Sequence, residues 1–219
     1  PILSALVSVV EKGGGRPKPL YREKIRGARQ GSRLRMRKTL GPYEEILDSI
    51  RDNLPEDGIV VRDVTIPTTT WASRLIEVTA PRQTLHSVTV GIGQALPMAI
   101  GASMAVDPER RILALVGDGG FLVNMGELAV VKEEGLCLTF VIFDDGGYGV
   151  LRNLQNEVFD GRKIGVDLRS PDFVGIAHSF GLEAVCVSSG EQFNKALKEA
   201  LDSNSSWVIV VNLSLIHIS

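Results

Sequence analysis

The chain has 219 residues, with 24 Lys or Arg against 26 Asp or Glu and 44% hydrophobic residues. This is the composition of a soluble globular protein, long enough for one α/β domain with a sizeable core. No apolar run approaches the ~20 residues of a membrane span, and the spacing of Cys and His carries no zinc signature.

The near-neutral total conceals an asymmetry. Residues 1–38 hold 11 Lys or Arg and 2 Asp or Glu, a net +9, whereas 39–219 hold 13 and 24, a net −11. The basic stretch 16–38 contains a single aromatic residue, Tyr21. It therefore reads as a solvated linker along acidic protein surface rather than as a nucleic-acid arm. Cys137 and Cys186, both in apolar settings, read as reduced core residues of a cytoplasmic protein.

In chain order, residues 1–10 are apolar but lack a basic start and a cleavage pattern, so they read as a core helix and not a signal peptide. Gly13-Gly14-Gly15 with Pro17 and Pro19 separate that helix from the remainder of the chain. A compact domain begins near Gly41-Pro42. Residues 43–53 predict a helix with Ile46, Leu47 and Ile50 on one face. A strand is expected at 59–63, a small-residue helix at 93–106, a strand at 111–116, a helix at 122–134 and a strand at 138–143. Ser170-Pro171-Asp172 reads as a helix start with Pro in the first turn, closed by Gly181. A short strand is expected at 184–187. Ser189-Gly190-Glu191-Gln192 reads as a capping box for a helix to about 202, and 207–212 as the last strand. Alternating strands and helices argue for a parallel α/β sheet.

Two clusters of glycine and aspartate come directly after the two longest apolar strands. They are Gly117-Asp118-Gly119-Gly120 and Asp144-Asp145-Gly146-Gly147-Tyr148-Gly149, with 27 positions between Asp118 and Asp145. Loops at the carboxyl ends of parallel strands are where ligands bind in such sheets. Carboxylates beside glycines suit a divalent cation that holds a phosphate group.

The ordered set resembles the diphosphate-binding motif of thiamine-diphosphate enzymes, in the acetolactate synthase and benzoylformate decarboxylase branch. Besides the two clusters it includes Gly91-Ile92-Gly93 leading to Pro97, Ala99, Ile100 and Gly101, then Glu127-Leu128, Tyr148-Gly149 and Asp172-Phe173-Val174. The resemblance covers about 42–213. It implies a doubly wound, mainly parallel six-stranded sheet with helices on both faces, with thiamine diphosphate and Mg2+ as cofactors. Residues 41–214 would be the cofactor-binding domain, 1–40 the end of a middle domain plus a basic linker, and 215–219 a tail. Asp118 and Asp145 would supply side-chain oxygens to the cation, and Gly147 its carbonyl. Gly117, Gly119 and Gly120 would meet the diphosphate, the last two offering their amides. The carbonyls of Val90 and Gly91 would meet the aminopyrimidine, and Ile92 would prop the cofactor in its bent form. Tyr148, Gly149, Val150 and Leu151 would continue the cofactor wall.

Some positions depart from the pattern. Asp144 stands where the family usually has Asn and is given no ligand role, since an extra carboxylate beside a diphosphate is costly. Ile66-Pro67 replaces the small or hydroxyl residues of the loop after the first strand. His86 falls near the start of the family's substrate pocket; it reads as a residue behind the pocket, with a catalytic or substrate-contacting role as the alternative. The glutamate that acts on the aminopyrimidine belongs to a pyrimidine-binding domain, to which nothing here is similar. The resemblance thus implies part of a longer 2-oxo acid decarboxylase or carboligase. Its partners would be a small 2-oxo acid and a second subunit in a homodimer or homotetramer, with neither nucleic acid nor membrane. Alternative readings are a stand-alone subunit of a two-chain decarboxylase, a non-catalytic relative that keeps the cofactor, and a Rossmann-like nucleotide binder, for which Gly91 and Gly93 lack the third glycine.

Overall fold

A computed structural model describes residues 2–14, 19–89 and 91–213. Val90 and the 215–219 tail lie outside the described residues. The chain divides into two compact units, Pro1–Leu40 and Gly41–Ser219.

The first unit holds two helices, α1 (Ile2–Lys12) and α2 (Pro19–Arg37). No residue of α1 is buried, and Ile2, Leu3 and Val9 are all exposed. Within the stretch expected to be a linker, 16–38, α2 is a regular helix of 19 residues. Proline at its first position and a run rich in Arg favour helix enough to offset Gly27 and Gly31. Arg22, Arg26, Arg29, Arg33 and Arg37 recur at helical spacing, which places them along one face.

The second unit is a six-stranded, all-parallel sheet in the order β2-β1-β3-β4-β6-β5. Its strands are β1 (Ile59–Arg62), β2 (Thr84–His86), β3 (Ile112–Gly117), β4 (Leu138–Asp144), β5 (Glu183–Val187) and β6 (Trp207–Asn212). Helix α3 (Tyr43–Asn53) precedes the sheet. A π-turn (Thr68–Ala72) and the short α4 (Ser73–Leu75) come after β1. Helix α5 (Ala95–Met104) lies between β2 and β3. After β3 come α6 (Asp118–Asn124), a 3-10 turn (Met125–Glu127) and α7 (Leu128–Glu133). Then α8 (Gly149–Val158) and α9 (Phe173–Ser179) lead to β5, and α10 (Gly190–Asp202) to β6.

The predicted α/β architecture is what forms. β3 is buried at every position, as a central parallel strand covered on both faces must be. One core runs through Ile59, Val61, Leu96, Ile112, Ala114, Phe121, Leu128, Phe140 and Ile142. Phe121 of α6 meets Phe173 of α9 edge to face, with ring centroids 5.6 Å apart, a contact worth about 0.5–1.5 kcal/mol beyond burial.

Local readings need four corrections. The helix expected at 122–134 starts at Asp118 and breaks at 125–127, giving α6, a 3-10 turn and α7. Pro171 precedes α9 instead of opening it, because Asp172 is the N-cap and accepts from the Gly175 amide. The capping box is half formed. Ser189 accepts from the Gln192 amide at 3.2 Å, but Gln192 Oε1 accepts from Ser188 N at 2.9 Å instead of reaching back to Ser189. Both cysteines are free, yet Cys137 is only partly buried and Cys186, on edge strand β5, is exposed.

The strand order has a consequence for function. From β1 the chain runs outward to β2, then returns past β1 to β3 and continues to β4 on the other side. The reversal falls between β1 and β3. The loops leaving those two strands diverge and open a crevice at their carboxyl ends.

Candidate cofactor-binding site

The crevice is built on Asp118. β3 ends in Gly117, whose extended backbone (φ −92°, ψ 162°) caps α6, so that α6 begins at Asp118 itself. The Asp118 side chain is 3% exposed. Its Oδ1 accepts from the adjacent Gly119 amide at 2.8 Å, and its Oδ2 accepts from the Gly147 amide at 2.7 Å. Asp118 therefore ties the β3 loop to the β4 loop. Burial, reinforced by the charges of Asp145 and Asp144, pushes its carboxyl up from 3.8 to about 6, against the two amides that favour the charged form.

Asp145 faces the same space. Its Oδ1 is buried without a hydrogen-bond partner, and burial pushes its carboxyl up while the Arg152 charge opposes this. The Arg152 guanidinium stands 4.0 Å from Asp145 Oδ2, donates to Asp167 Oδ1 at 2.9 Å and to the Gly146 carbonyl at 3.2 Å. Tyr148 N donates to the Val166 carbonyl and Leu168 N to the Gly146 carbonyl, both at 2.8 Å. The loop that carries Asp145 and Gly147 is thus pinned from two sides. Asp144 points elsewhere, accepting from the Ser170 hydroxyl at 2.5 Å and the Gly146 amide at 3.2 Å.

Two carboxylates, Asp118 buried and Asp145 partly buried with one oxygen lacking any donor, form an environment that a hard cation would relieve. Each Asp118 oxygen keeps a lone pair beyond its amide bond. No cluster of three or more His, Cys, Asp or Glu side chains able to hold a metal occurs among the described residues. The donor set that would fit is two carboxylates with a main-chain carbonyl of the same loop.

Comparison with known proteins decides the family. Residues 67–211 match the family described as thiamine pyrophosphate enzyme, C-terminal TPP binding domain. The chain belongs to that family.

This TPP-binding domain is 34% identical over 167 residues to the probable acetolactate synthase large subunit of Methanocaldococcus jannaschii, covering 75% of this chain and 28% of that protein. It is 30% identical over 168 residues to the benzoylformate decarboxylase of Pseudomonas aeruginosa, covering 77% and 31%. Among solved structures, the thiamine diphosphate-dependent 4-hydroxybenzoylformate decarboxylase of Rhodococcus jostii superposes with a TM-score of 0.71 at 27% identity, covering 76% of this chain and 31% of that one. The chain thus spans about 28% of the length of the acetolactate synthases it matches.

Gly91, exposed, and Ile92, half-buried, form the turn before α5. Gly93 is buried there with φ +86°. Its amide donates to Asp63 Oδ2 at 2.7 Å, and its carbonyl accepts from Asn124 Nδ2 at 2.6 Å. The Tyr148 ring covers Gly119, where an added Cβ would lie 2.5 Å from the ring. Similarly, a Cβ on Gly120 would lie 2.5 Å from Asp63 Oδ2, and one on Gly117 3.0 Å from Thr65 Oγ1. These glycines keep the loop free of side chains where the walls close in. The Gly119 amide donates to the neighbouring Asp118 Oδ1. Gly149, Val150 and Leu151 form the first turn of α8, with Val150 and Leu151 exposed. His86 ends the outer strand β2, exposed, with β1 between it and β3.

Sequence reasoning assigned no role to Asp63, Asn124 or Arg152. Asp63 carried a usable signal, an acid at the end of an apolar strand, as Asp118 is. Asn124 and Arg152 act through contacts that only the fold creates.

Proposed function

We propose that this domain binds the diphosphate end of thiamine diphosphate through Mg2+, within a 2-oxo acid decarboxylase or carboligase of the acetolactate synthase and benzoylformate decarboxylase kind. The observation that carries this reading is the pair of carboxylates after β3 and β4, buried Asp118 with its raised pKa and partly buried Asp145 with its unpartnered Oδ1. A cation that prefers about six oxygen ligands would take one oxygen from each, and the Gly147 carbonyl. Gly117, Gly119 and Gly120 leave room for the diphosphate at the start of α6. Ile92 stands under the cofactor rings, the main-chain carbonyl of Gly91 meets the aminopyrimidine, and Tyr148 to Leu151 continue the wall. Bound there, thiamine diphosphate supplies the electron sink for loss of CO2 from a 2-oxo acid.

The names of the relatives support the substrate class, a small 2-oxo acid. The glutamate that acts on the aminopyrimidine would come from a pyrimidine-binding domain of a partner subunit, which makes the active assembly a homodimer or homotetramer. Residues 1–40 would be the end of a preceding domain with its basic helix, 41–214 the cofactor-binding domain, and 215–219 a tail. No helix among the described residues is long and apolar enough to cross a membrane; together with two free cysteines, this supports a cytoplasmic location.

The test is Asp118→Ala in the assembled enzyme, with binding of thiamine diphosphate measured by calorimetry with and without Mg2+. Loss of Mg2+-dependent binding is expected. An unchanged affinity would show that the cation is held elsewhere.

A further inference from the structure

Besides Asp118, the buried carboxylate among the described residues is Asp63, 3% exposed at the end of β1. Cation binding does not account for it. Its Oδ1 accepts from the Val64 amide at 2.8 Å and its Oδ2 from the Gly93 amide at 2.7 Å. A buried carboxylate is costly unless its lone pairs are met, and here two main-chain N–H groups meet them. The other end of Gly93 is held as well, since its carbonyl accepts from Asn124 Nδ2 at 2.6 Å. Asn124 is the last residue of α6, the helix that Asp118 opens. One residue, Gly93, is therefore gripped by the end of β1 and by the end of the phosphate-loop helix. It has no slack, because a Cβ at that position would lie 2.7 Å from Val123 Cβ. Asp63 Oδ2 also passes close to Gly120 of the same loop.

We propose that Asp63 and Asn124 are positioning residues that lock the 91–94 turn to the β3–α6 loop, so that Ile92 is held at a fixed place relative to Asp118. The inference rests on the reading of Ile92 as the support beneath the cofactor rings. The diphosphate and cation contacts are made by other residues. The lock therefore sets the shape of the bound cofactor rather than the strength of its binding. Main-chain donors need an acceptor at both Asp63 oxygens. An amide side chain there would set N–H against N–H.

The test compares Asp63→Asn, Asn124→Leu and Asn124→Gln in the holoenzyme. Asn124→Leu keeps the size and loses the donor, whereas Asn124→Gln keeps an amide donor. Three readouts are compared: affinity for thiamine diphosphate with Mg2+ by calorimetry, near-ultraviolet circular dichroism of the bound cofactor, and hydrogen exchange of the peptide covering the 91–94 turn. kcat and KM for the 2-oxo acid are measured alongside. For Asp63→Asn and Asn124→Leu we expect affinity to change only a few-fold. The dichroic signature should weaken, exchange should quicken in that turn alone, and kcat should fall about ten-fold or more at unchanged KM. Asn124→Gln should recover most of the loss. Normal dichroism and kcat in Asn124→Leu would overturn the proposal. So would faster exchange spread over the whole domain, which marks a purely structural role. Where Asp63→Asn does not fold, Asn124→Leu, half-buried at a helix end, decides. Failure of the cation reading shows separately, as unchanged affinity in Asp118→Ala.

Discussion

Asp118, Asp145 and Asp144 place three carboxyl groups at one edge of the sheet, and their surroundings separate their roles. Asp118 is held by two amides, Asp145 keeps a bare oxygen, and Asp144 is occupied by Ser170 and Gly146. Asp145→Asn keeps a side-chain oxygen while removing a charge, so cofactor affinity with Mg2+ should survive it. A loss as complete as that of Asp118→Ala would mean that the charge, not the oxygen, is required. Asp144→Asn keeps an acceptor for Ser170 and removes one of the charges that raise the Asp118 carboxyl. Mg2+ affinity in titration calorimetry should therefore hold or tighten. At Ile92 the expected pattern is different. Ile92→Ala removes apolar bulk under the cofactor rings but no charged contact. Turnover of the saturated enzyme should fall about ten-fold or more, roughly 1–2 kcal/mol of lost preorganisation, with affinity much less affected. The reverse pattern, affinity collapsing at normal turnover, would make Ile92 an ordinary packing residue.

At the scale of elements, legibility in the sequence tracks burial. β3 and β4 are covered on both faces, so their apolar runs betray them. Helix α3 shows its face through Ile46, Leu47 and Ile50, all buried. β2 is three residues at the sheet edge, partly exposed, and carries too little pattern to be read. α8 opens in Gly149 next to a loop of glycines, and its apolar Val150, Leu151, Leu154 and Val158 stay exposed, so nothing marks it as core. α2 was hidden by its charge. The bond from Asp63 to Gly93 spans 30 positions and joins the end of β1 to the turn before α5, so no local pattern announces it. The half-formed capping box offers a measurement at this scale. With Ser189 capping α10 through the Gln192 amide, Ser189→Ala should lower stability by about 1 kcal/mol in denaturant unfolding. Gln192→Ala should also cost stability, through Ser188. No change in either would mean that α10 is held by its packing on α3 alone.

For the whole molecule, the raised carboxyl of Asp118 predicts how stability depends on pH in the presence of a chelator. The unfolded carboxyl releases its proton near 3.8 and the folded one near 6. Between those values the folded state holds the extra proton, so its stability is greatest on the acid side and declines as pH rises through the window. The contribution is about 3 kcal/mol, and the raised Asp63 and Asp145 act in the same direction. Melting curves over that range should show the decline in chelator, a shallower one in Asp118→Asn, and recovery above the window when Mg2+ and thiamine diphosphate are supplied. Stability that instead rises with pH through the window in chelator would contradict it. The crowding that raises these carboxyls also governs how the loops can change over generations. A Cβ on Gly119 would meet the Tyr148 ring at 2.5 Å, and one on Gly149 would run into Asp145 Oδ2. Neither backbone is left-handed, so what these positions demand is space, and at Gly119 that space is set by a residue on a different loop. Mutational tolerance there should therefore be a property of pairs. In a crossed library of positions 119 and 148, alanine at 119 should be recovered with small residues at 148 and lost with tyrosine, so that the two loops drift together or not at all.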